Sequence, residues 1–238
     1  TVTVDPIPVI SAKEDIICSK ESFVLTPVNG GGISSDDIVP DGTRYSWSAP
    51  TVTGGIIGGA SASGVSVITG TLTNPTNTVQ TATYVITPVS PTGCPGEVFT
   101  LTVTVNPTPV VPAQRDTICS GDSFTLTLIN NAPTTIIPDG TTYSWSAPTV
   151  TGGVTGGASA SGVSIITGTL TNPTNTVQTA TYFITPLSPT GCAGEVFTLT
   201  VTINPIPVIP AQRDTVCSGT TFIHTIVNDA PTTIVPVG

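Results

Sequence analysis

The sequence has 238 residues, of which 8% are charged, and its net charge of −9 comes from 14 acidic and 5 basic side chains. A nucleic-acid-binding surface needs clustered Lys and Arg, and a membrane-spanning helix needs about 18 consecutive apolar residues. The sequence has neither, and its regular alternation of Val, Ile and Leu with Thr argues against disorder. We therefore expect a folded chain with no nucleic-acid partner and no membrane insertion in this segment.

Apolar residues that recur with a period of two predict a series of β-strands. In chain order, the first of them cover residues 9–17, 22–28, 43–49, 65–73, 79–88 and 97–106. The last is the clearest, because apolar side chains from Phe99 to Val105 alternate with threonines, which favour strands and make a polar face without charge. Residues 74–77 (NPTN) and 90–93 (SPTG) are typical of turns between strands.

The sequence repeats at intervals of about a hundred residues. Residues 47–94 and 145–192 are identical at all but 5 of 48 positions, and Cys18, Cys119 and Cys217 mark one position in three copies. The first copy is longer than the second by three residues, which lie in the segment between its first cysteine and its tryptophan. The strands predicted in the first copy are therefore expected again in the second.

About seven short strands in each hundred residues favour an immunoglobulin-like sandwich of two β-sheets. Trp47 and Trp145 lie in the middle of a predicted strand, and Tyr84 and Tyr182 lie in the penultimate strand of each copy. Such sandwiches bury aromatic side chains at these positions. The predicted fold class is therefore all-β, with tandem immunoglobulin-like sandwiches.

The repeat pattern also predicts the domain boundaries. The four segments are residues 1–5 as the last strand of a preceding copy, 6–106 as the first sandwich, 107–204 as the second, and 205–238 as the N-terminal part of a third. Closely spaced prolines follow both full copies and favour stiff, extended connections, so we expect the sandwiches to be arranged end to end. We also expect the chain to be part of a longer polypeptide.

Five cysteines, which are Cys18, Cys94, Cys119, Cys192 and Cys217, are candidates for disulfide bonds because their spacing fits neither a metal site nor a redox motif. Two pairings are open. Within copies, Cys18 joins Cys94 and Cys119 joins Cys192. Between copies, Cys18 joins Cys192, because these positions lie at opposite ends of one sandwich and meet where neighbouring sandwiches adjoin.

Few other residues are candidates for chemistry. Asp36, Asp37 and Asp41 could together bind calcium, but the second copy keeps only Asp139, so acids exposed in a turn are the simpler interpretation. His224 has no second histidine with which to form a zinc site or a catalytic triad. We expect no catalytic residue, no cofactor and no metal site, and we expect that the chain is not an enzyme.

Four motifs of this sequence carry a family resemblance: I/VCSGxSFxLT, YSWSAP, GTLTNPTNTVQTATY and TPxSPTGCxGxxFTLTVTVNP. They resemble the PKD-like and immunoglobulin-like repeats of giant cell-surface proteins of the Bacteroidota, which include gliding-motility-associated adhesins exported by the type IX secretion route. The resemblance implies an extracellular location, either attached to the outer membrane or secreted. It also implies a role as the stalk or filament of an adhesin, in cell adhesion, gliding motility or biofilms.

The resemblance further implies partners and modifications. The partners are neighbouring repeats of the same chain, other chains in laterally assembled fibres, and glycans or proteins on cell surfaces. Thr117 and Thr215 follow an aspartate and precede an apolar residue, which resembles the O-glycosylation signal of this phylum. Two alternatives stay open, namely a glycan- or protein-binding module and a spacer in a secreted polysaccharide-degrading enzyme.

Overall fold

The computed structural model describes residues 4–31 and 36–237, and within these residues it contains strands, turns and loops but no helix. The strands of the first copy are β1 (Lys13–Cys18), β2 (Ser22–Leu25), β3 (Arg44–Trp47), β4 (Thr51–Val52), β5 (Ile57–Gly58), β6 (Ala62–Val65), β7 (Ile68–Thr73), β8 (Gln80–Val89) and β9 (Phe99–Asn106). Those of the second are β10 (Gln114–Cys119), β11 (Ser123–Leu126), β12 (Thr142–Trp145), β13 (Thr149–Val150), β14 (Thr155–Gly156), β15 (Ala160–Val163), β16 (Ile166–Thr171), β17 (Gln178–Leu187) and β18 (Phe197–Asn204). The predicted all-β fold class is confirmed.

Each copy forms two sheets. In the first copy the larger sheet has the order β1-β9-β8-β3-β6, with β4 beside β8, and the smaller sheet has the order β2-β7-β5. Strand β1 pairs in parallel with β9, and the other pairs are antiparallel. The second copy repeats this pairing strand for strand. This topology, a first strand parallel to the last and two sheets over one core, is that of an immunoglobulin-like sandwich.

The structure divides one segment that the sequence pattern joins. Residues 65–73 were expected to form one strand, but β6 ends at Val65 and pairs in the larger sheet, whereas β7 begins at Ile68 and pairs in the smaller sheet. The chain crosses from one sheet to the other between them. The alternation of apolar residues shifts by one residue at the crossing, because Val67 and Ile68 are adjacent, so the interpretation of 65–73 as one strand was wrong.

The core of the first copy lies between its two sheets. The apolar side chains of β9 from Phe99 to Val105 are buried, and the threonines that alternate with them lie on the other face. Phe23, Ile68 and Leu72 reach the same core from the smaller sheet. Burying a side chain of this size contributes about 1.5–3 kcal/mol, so the alternation stabilises the sandwich as well as setting its register.

The chain divides into two compact units. The first contains the described residues up to Val110 together with Asn130–Asp139 and Ser188–Cys192. The second contains Val111–Ile129, Gly140–Leu187 and the residues from Ala193 onward. Each unit has its own buried apolar cluster. Two short segments of the second copy are therefore grouped with the first unit.

Residues 205–237, which correspond to the start of a third copy, form isolated bridges such as Val208 with Ile234 but no named strand. In both full copies the corresponding strands pair with the seventh and ninth strands of the same copy. Apolar side chains of residues 205–237, including Phe222 and Ile223, are exposed.

Candidate functional site

A disulfide bond joins Cys18, at the end of β1, to Cys192, in the turn between β17 and β18. Their Cα atoms are 5.7 Å apart and the bond closes a loop across a sequence separation of 174. Of the two pairings that the sequence left open, this is the one between copies. Both cysteines lie in the first unit, because Ser188–Cys192 is grouped with it.

The register of the larger sheet explains why the bond does not form within one copy. Strand β1 runs parallel to β9 and sets Cys18 beside Asn106, the last residue of β9. Cys94 precedes Phe99, the first residue of that strand. Seven residues of extended strand span roughly 23 Å, whereas the Cα atoms of a disulfide lie about 4.4–6.8 Å apart. Cys18 and Cys94 therefore lie at opposite ends of the sheet.

Backbone and side-chain hydrogen bonds hold the end of β1 in place. The Ser19 N–H donates to the carbonyl of Asn106, and the Ser19 hydroxyl accepts from the N–H of Asn74 at 2.9 Å. The carbonyl of Cys18 accepts from the N–H of Glu21, which closes a turn directly after the cysteine. The second copy repeats these bonds at Cys119, Ser120, Asp122, Asn172 and Asn204.

The turn that carries the other cysteine is equally well fixed. The Ser90 hydroxyl accepts from the N–H of Cys94 at 3.0 Å and lies 2.9 Å from the Thr92 hydroxyl. The Ser90 N–H donates to the carbonyl of Cys94, and the Thr92 hydroxyl lies 3.8 Å from the Cys94 sulfur. The same contacts recur at Ser188, Thr190 and Cys192. The turn therefore has one hydrogen-bonding pattern with and without a disulfide.

Three cysteines of the described chain are free, namely Cys94, Cys119 and Cys217. Cys94 is partly exposed, and Cys119 and Cys217 are exposed. Each occupies the position of one of the two bonded cysteines in another copy. Cys94 corresponds to Cys192, and the other two correspond to Cys18.

One of the three acids in this part of the first copy is buried. The interpretation of all three as exposed turn residues is therefore wrong for Asp37. Asp37 is 4% exposed, forms an ion pair with Lys13, and accepts from both the N–H and the hydroxyl of Ser11 at 2.9 Å. Lys13 also donates to the carbonyl of Gly31. Asp37 is therefore held by Ser11 and by Lys13 of β1, and its carboxylate oxygens are already engaged. Asp36, in contrast, is exposed.

The surroundings of Asp37 lower its pKa. Burial by itself raises the pKa of this carboxyl, but the hydrogen bonds from Lys13 and Ser11 and the lysine charge together outweigh it. The charged form is thus stabilised by folding. Its contribution to stability is present above the pKa of the unfolded chain and is lost as pH falls through the lower pKa of the folded chain.

We expect Asp37→Asn to lower the free energy of unfolding by about 2 kcal/mol at neutral pH, because it removes charge-assisted hydrogen bonds and leaves Lys13 unpaired. The difference from wild type should shrink as pH falls through the lowered pKa of the folded chain, because the wild-type carboxyl then becomes protonated as well. Urea titrations from neutral to strongly acidic pH measure this, with Asp36→Asn as the matched control. A deficit that stays constant over the whole pH range would contradict the ion pair.

Two buried tyrosines have unusual surroundings. Tyr84 packs between Phe23 and Trp47, with ring centroids 5.3 and 6.5 Å away, and its hydroxyl has no hydrogen-bond partner among the described residues. Burial raises the pKa of Tyr84 to about 12. Gly59, at φ +78°, makes room for the hydroxyl, because a Cβ there would lie 2.7 Å from it. Tyr182 repeats this arrangement in the second copy.

We expect Tyr84→Phe to leave stability unchanged or to raise it by up to about 1 kcal/mol, because a buried hydroxyl without a partner gains nothing from burial. Chemical denaturation of this variant beside Tyr182→Phe measures the effect, and Tyr84→Leu serves as a control that loses the ring packing. A loss of more than about 1 kcal/mol in Tyr84→Phe would mean that the hydroxyl has a partner.

The remaining candidates from the sequence are Thr117, Thr215 and His224. Thr117 is exposed on β10, the edge strand of its sheet, and its N–H donates to the side chain of Asp116. Thr215 is also exposed. His224 stacks on Phe222 at 6.2 Å. Both threonines stay predicted glycosylation sites.

In residues 4–31 and 36–237, no three His, Cys, Asp or Glu side chains are grouped as a metal ion would require. The same residues include no helix with the length and hydropathy needed to cross a membrane.

Sequence reasoning missed three features: the ion pair of Lys13 with Asp37, the four hydrogen bonds of the buried Asn74 side chain to Thr76, Thr78 and Val105, and the unpartnered tyrosine hydroxyls. None of the three left a distinguishing signal, because the sequence NPTN is unchanged between the copies as most of their positions are. The pattern NPTN predicts only a turn. A buried asparagine that ties a turn to a neighbouring strand has the same local sequence as an exposed one.

Comparison with solved structures gives distant matches. An endo-fucoidan hydrolase from glycoside hydrolase family 107 is 13% identical, with 87% of this chain and 30% of that chain covered and a TM-score of 0.30. An I-band fragment of titin is 9% identical, with 84% and 65% covered and a TM-score of 0.32. N-cadherin from Drosophila is 11% identical, with 82% and 65% covered and a TM-score of 0.27.

The chain thus spans less than two thirds of each of these structures. The TM-scores are too low to support an argument about function. No curated protein matches the chain in sequence. The model of the PKD-like domain, however, matches residues 16–109 and 116–207, which is most of the chain and coincides with the two sandwiches. The chain therefore belongs to the PKD-like domain family and carries two tandem copies of that domain.

Proposed function

We propose that the chain is a structural repeat segment of a long extracellular surface protein and acts in the stalk or filament of an adhesin. The observation that supports this most strongly is the Cys18–Cys192 disulfide, because it closes one covalent loop through both copies. Tension applied at the two ends of the chain passes through this bond and bypasses residues 19–191. Such a connection suits a chain that must transmit force without unfolding.

An extracellular location is supported by the disulfide and by the composition. Disulfides persist in oxidising surroundings and are rare in the cytosol. The chain has only 5 Lys and Arg side chains, which leaves few cleavage sites for trypsin-like proteases. Attachment to the cell surface, lateral assembly into fibres, and a role in gliding or biofilms are parts of the same proposal.

The proposal includes no catalysis. The tryptophan and both tyrosines of each copy are buried in the sandwich cores. Asp37 is engaged by Lys13 and Ser11. These side chains serve packing and loop attachment, and a mechanical role needs no more from them.

A second candidate, direct binding of glycans, is favoured by one observation. Phe183 lies on β17 with 54% of its surface exposed, at the position where the first copy has Val85. An exposed aromatic ring is a surface on which a sugar could stack. A glycan array with the wild-type chain and Phe183→Val would detect this activity. Binding that disappears in the variant would favour the second candidate over the first.

Two observations on cells that make the parent protein test the first candidate. We expect antibodies against residues 1–238 to label intact cells, and electron micrographs of the purified parent protein to show long, thin fibres. Labelling only after permeabilisation would contradict the extracellular location. A compact particle would contradict the stalk.

Glycosylation of Thr117 and Thr215 belongs to the same proposal. The supporting observation is that both side chains are exposed. We expect the chain purified from its own cells to be heavier than the bare polypeptide, and Thr117→Ala to lose part of the added mass. Intact mass spectrometry measures this. A mass equal to that of the polypeptide would contradict the prediction.

A further inference from the structure

We propose that two loops, residues 130–139 and 228–237, are docking segments that pack on the sandwich of the preceding copy and stabilise it. The loop 130–139 belongs to the second copy in sequence but is grouped with the first unit. The loop 228–237 follows the second sandwich and is grouped with the second unit. The inference concerns the folding of the chain and does not depend on adhesion or on an extracellular location.

An isoleucine at the same position of each copy shows what covers these loops. Ile38, Ile136 and Ile234 each form the same antiparallel bridge, with a valine near the start of their own copy. Ile38 is 46% exposed, whereas Ile136 is 5% and Ile234 is 4% exposed. The bridge is common to all three copies, so it does not account for the difference in burial.

The difference follows the sandwich that comes before each loop. Among the described residues, Ile38 has a complete sandwich in its own copy and none before it. Ile234 has no named strand in its own copy and a complete sandwich before it. Ile136 has both. Burial therefore accompanies the preceding sandwich and not the loop's own.

The contrast within residues 205–237 points the same way. Every residue from 206 to 232 is exposed, but residues 233–236 are buried or half-buried. The Val237 N–H donates to the carbonyl of Asn175 at 3.2 Å, in the turn between β16 and β17 of the second sandwich. The end of that sandwich is thus the surface on which the loop lies.

Each docking segment also holds its own shape through local hydrogen bonds. The Asn228 side chain accepts from the N–H of Val235 at 3.0 Å, and the carbonyl of Asp229 accepts from the N–H groups of Thr232 and Thr233. Residues 130–137 repeat these three bonds. A segment that is already ordered loses little conformational entropy when it packs on a partner.

A segment that packs only on a folded sandwich stabilises it, as does any ligand that binds the folded state alone. Because the segment is part of the same chain, its effective concentration is high. Loss of one buried isoleucine from such a contact corresponds to a change of about tenfold or more in the unfolding equilibrium constant. The stability of each sandwich is therefore coupled to residues that follow it in the sequence.

The test compares Ile234→Ser, Ile136→Ser and Ile38→Ser in the full 238-residue chain. Each variant is made in two backgrounds. With Trp47→Phe the remaining tryptophan reports on the second sandwich, and with Trp145→Phe it reports on the first. Urea titrations followed by fluorescence give the unfolding equilibrium constant of each sandwich.

We expect Ile234→Ser to raise the unfolding equilibrium constant of the second sandwich by about tenfold or more, and Ile136→Ser to do the same for the first. Ile38→Ser is the matched control and should change neither by more than about twofold. A second sandwich that responds to Ile234→Ser no more than to Ile38→Ser would overturn the proposal. Destabilisation of the second sandwich alone by Ile136→Ser would also overturn it.

Hydrogen exchange gives a second measurement that needs no tryptophan substitution. The Val237 amide should exchange slowly in the wild-type chain, because it donates to Asn175, and at least about tenfold faster in Ile234→Ser. Exchange of Val237 in the wild-type chain as fast as that of the exposed residues 206–227 would show that the loop is not docked, and would overturn the proposal.

Discussion

We expect single-molecule extension of the intact chain to gain about 570–630 Å of contour length when the Cys18–Cys192 bond is reduced. The loop spans a sequence separation of 174, and each extended residue adds about 3.3–3.6 Å. While the bond is intact, force between the chain ends cannot reach residues 19–191. Atomic force microscopy with and without a reducing agent measures the difference.

The same bond should dominate the thermodynamic stability. In the chain-entropy model a loop of this length contributes about 5 kcal/mol, so Cys18→Ser with Cys192→Ser should lower the free energy of unfolding by an amount of that order. The matched control is Cys217→Ser, which removes a free cysteine and should leave stability within about 0.5 kcal/mol of wild type. In the single-molecule experiment described above, equal contour lengths before and after reduction would contradict the existence of the Cys18–Cys192 loop.

The second large effect is expected at Asn74. This side chain is 1% exposed and makes four hydrogen bonds: its amide donates to the carbonyls of Thr78 and Val105, and its oxygen accepts from the N–H and hydroxyl of Thr76. It ties the turn after β7 to the last residues of β9. We expect Asn74→Ala to destabilise the first sandwich by about 3–5 kcal/mol, because buried donors and acceptors lose their partners.

Tryptophan fluorescence can separate the two sandwiches in this experiment. With Trp145→Phe as background, Trp47 is the only tryptophan and reports on the first sandwich. Urea titration should then show a lower midpoint for Asn74→Ala. Asn77→Ala changes the other asparagine of the same turn, for which the structure shows no side-chain hydrogen bond, and should have an effect within about 0.5 kcal/mol. Equal effects of the two variants would contradict the network.

Much of the fold could be predicted because its determinants are local. The alternation in β9 sets which face is buried, and Trp47 and Tyr84 do occupy the core. The sheet crossing between β6 and β7 did leave a sign, because the adjacent apolar residues Val67 and Ile68 shift the alternation by one residue. The short strands β4 and β5 have two residues each, too few to show a period.

The features that escaped prediction depend on contacts between residues far apart in the sequence. Asp37 and Lys13 are 24 residues apart, and Asn74 and Ser19 are 55 apart. Neither pair leaves a local pattern. The cysteine pairing had two solutions in the sequence, and the parallel register of β1 with β9 is the physical reason that favours one of them.

Lys20 shows how the copies tolerate a departure from their shared pattern. It has φ +74°, a backbone conformation that residues other than glycine rarely adopt. The second copy has Gly121 at this position, with φ +90°. The turn after the strand-end cysteine therefore keeps its shape in spite of the substitution. The position of Cys18 is preserved as a result.

Disulfide mapping of the oxidised chain tests most directly whether successive copies are joined. Digestion with trypsin and chymotrypsin places the five cysteines on separate peptides, with Cys18 in 14–20, Cys94 in 85–99 and Cys192 in 184–197. Our account predicts a covalent pair of peptides 14–20 and 184–197 under non-reducing conditions. A pair of 14–20 with 85–99 would contradict it, because the bond would then close each copy on itself.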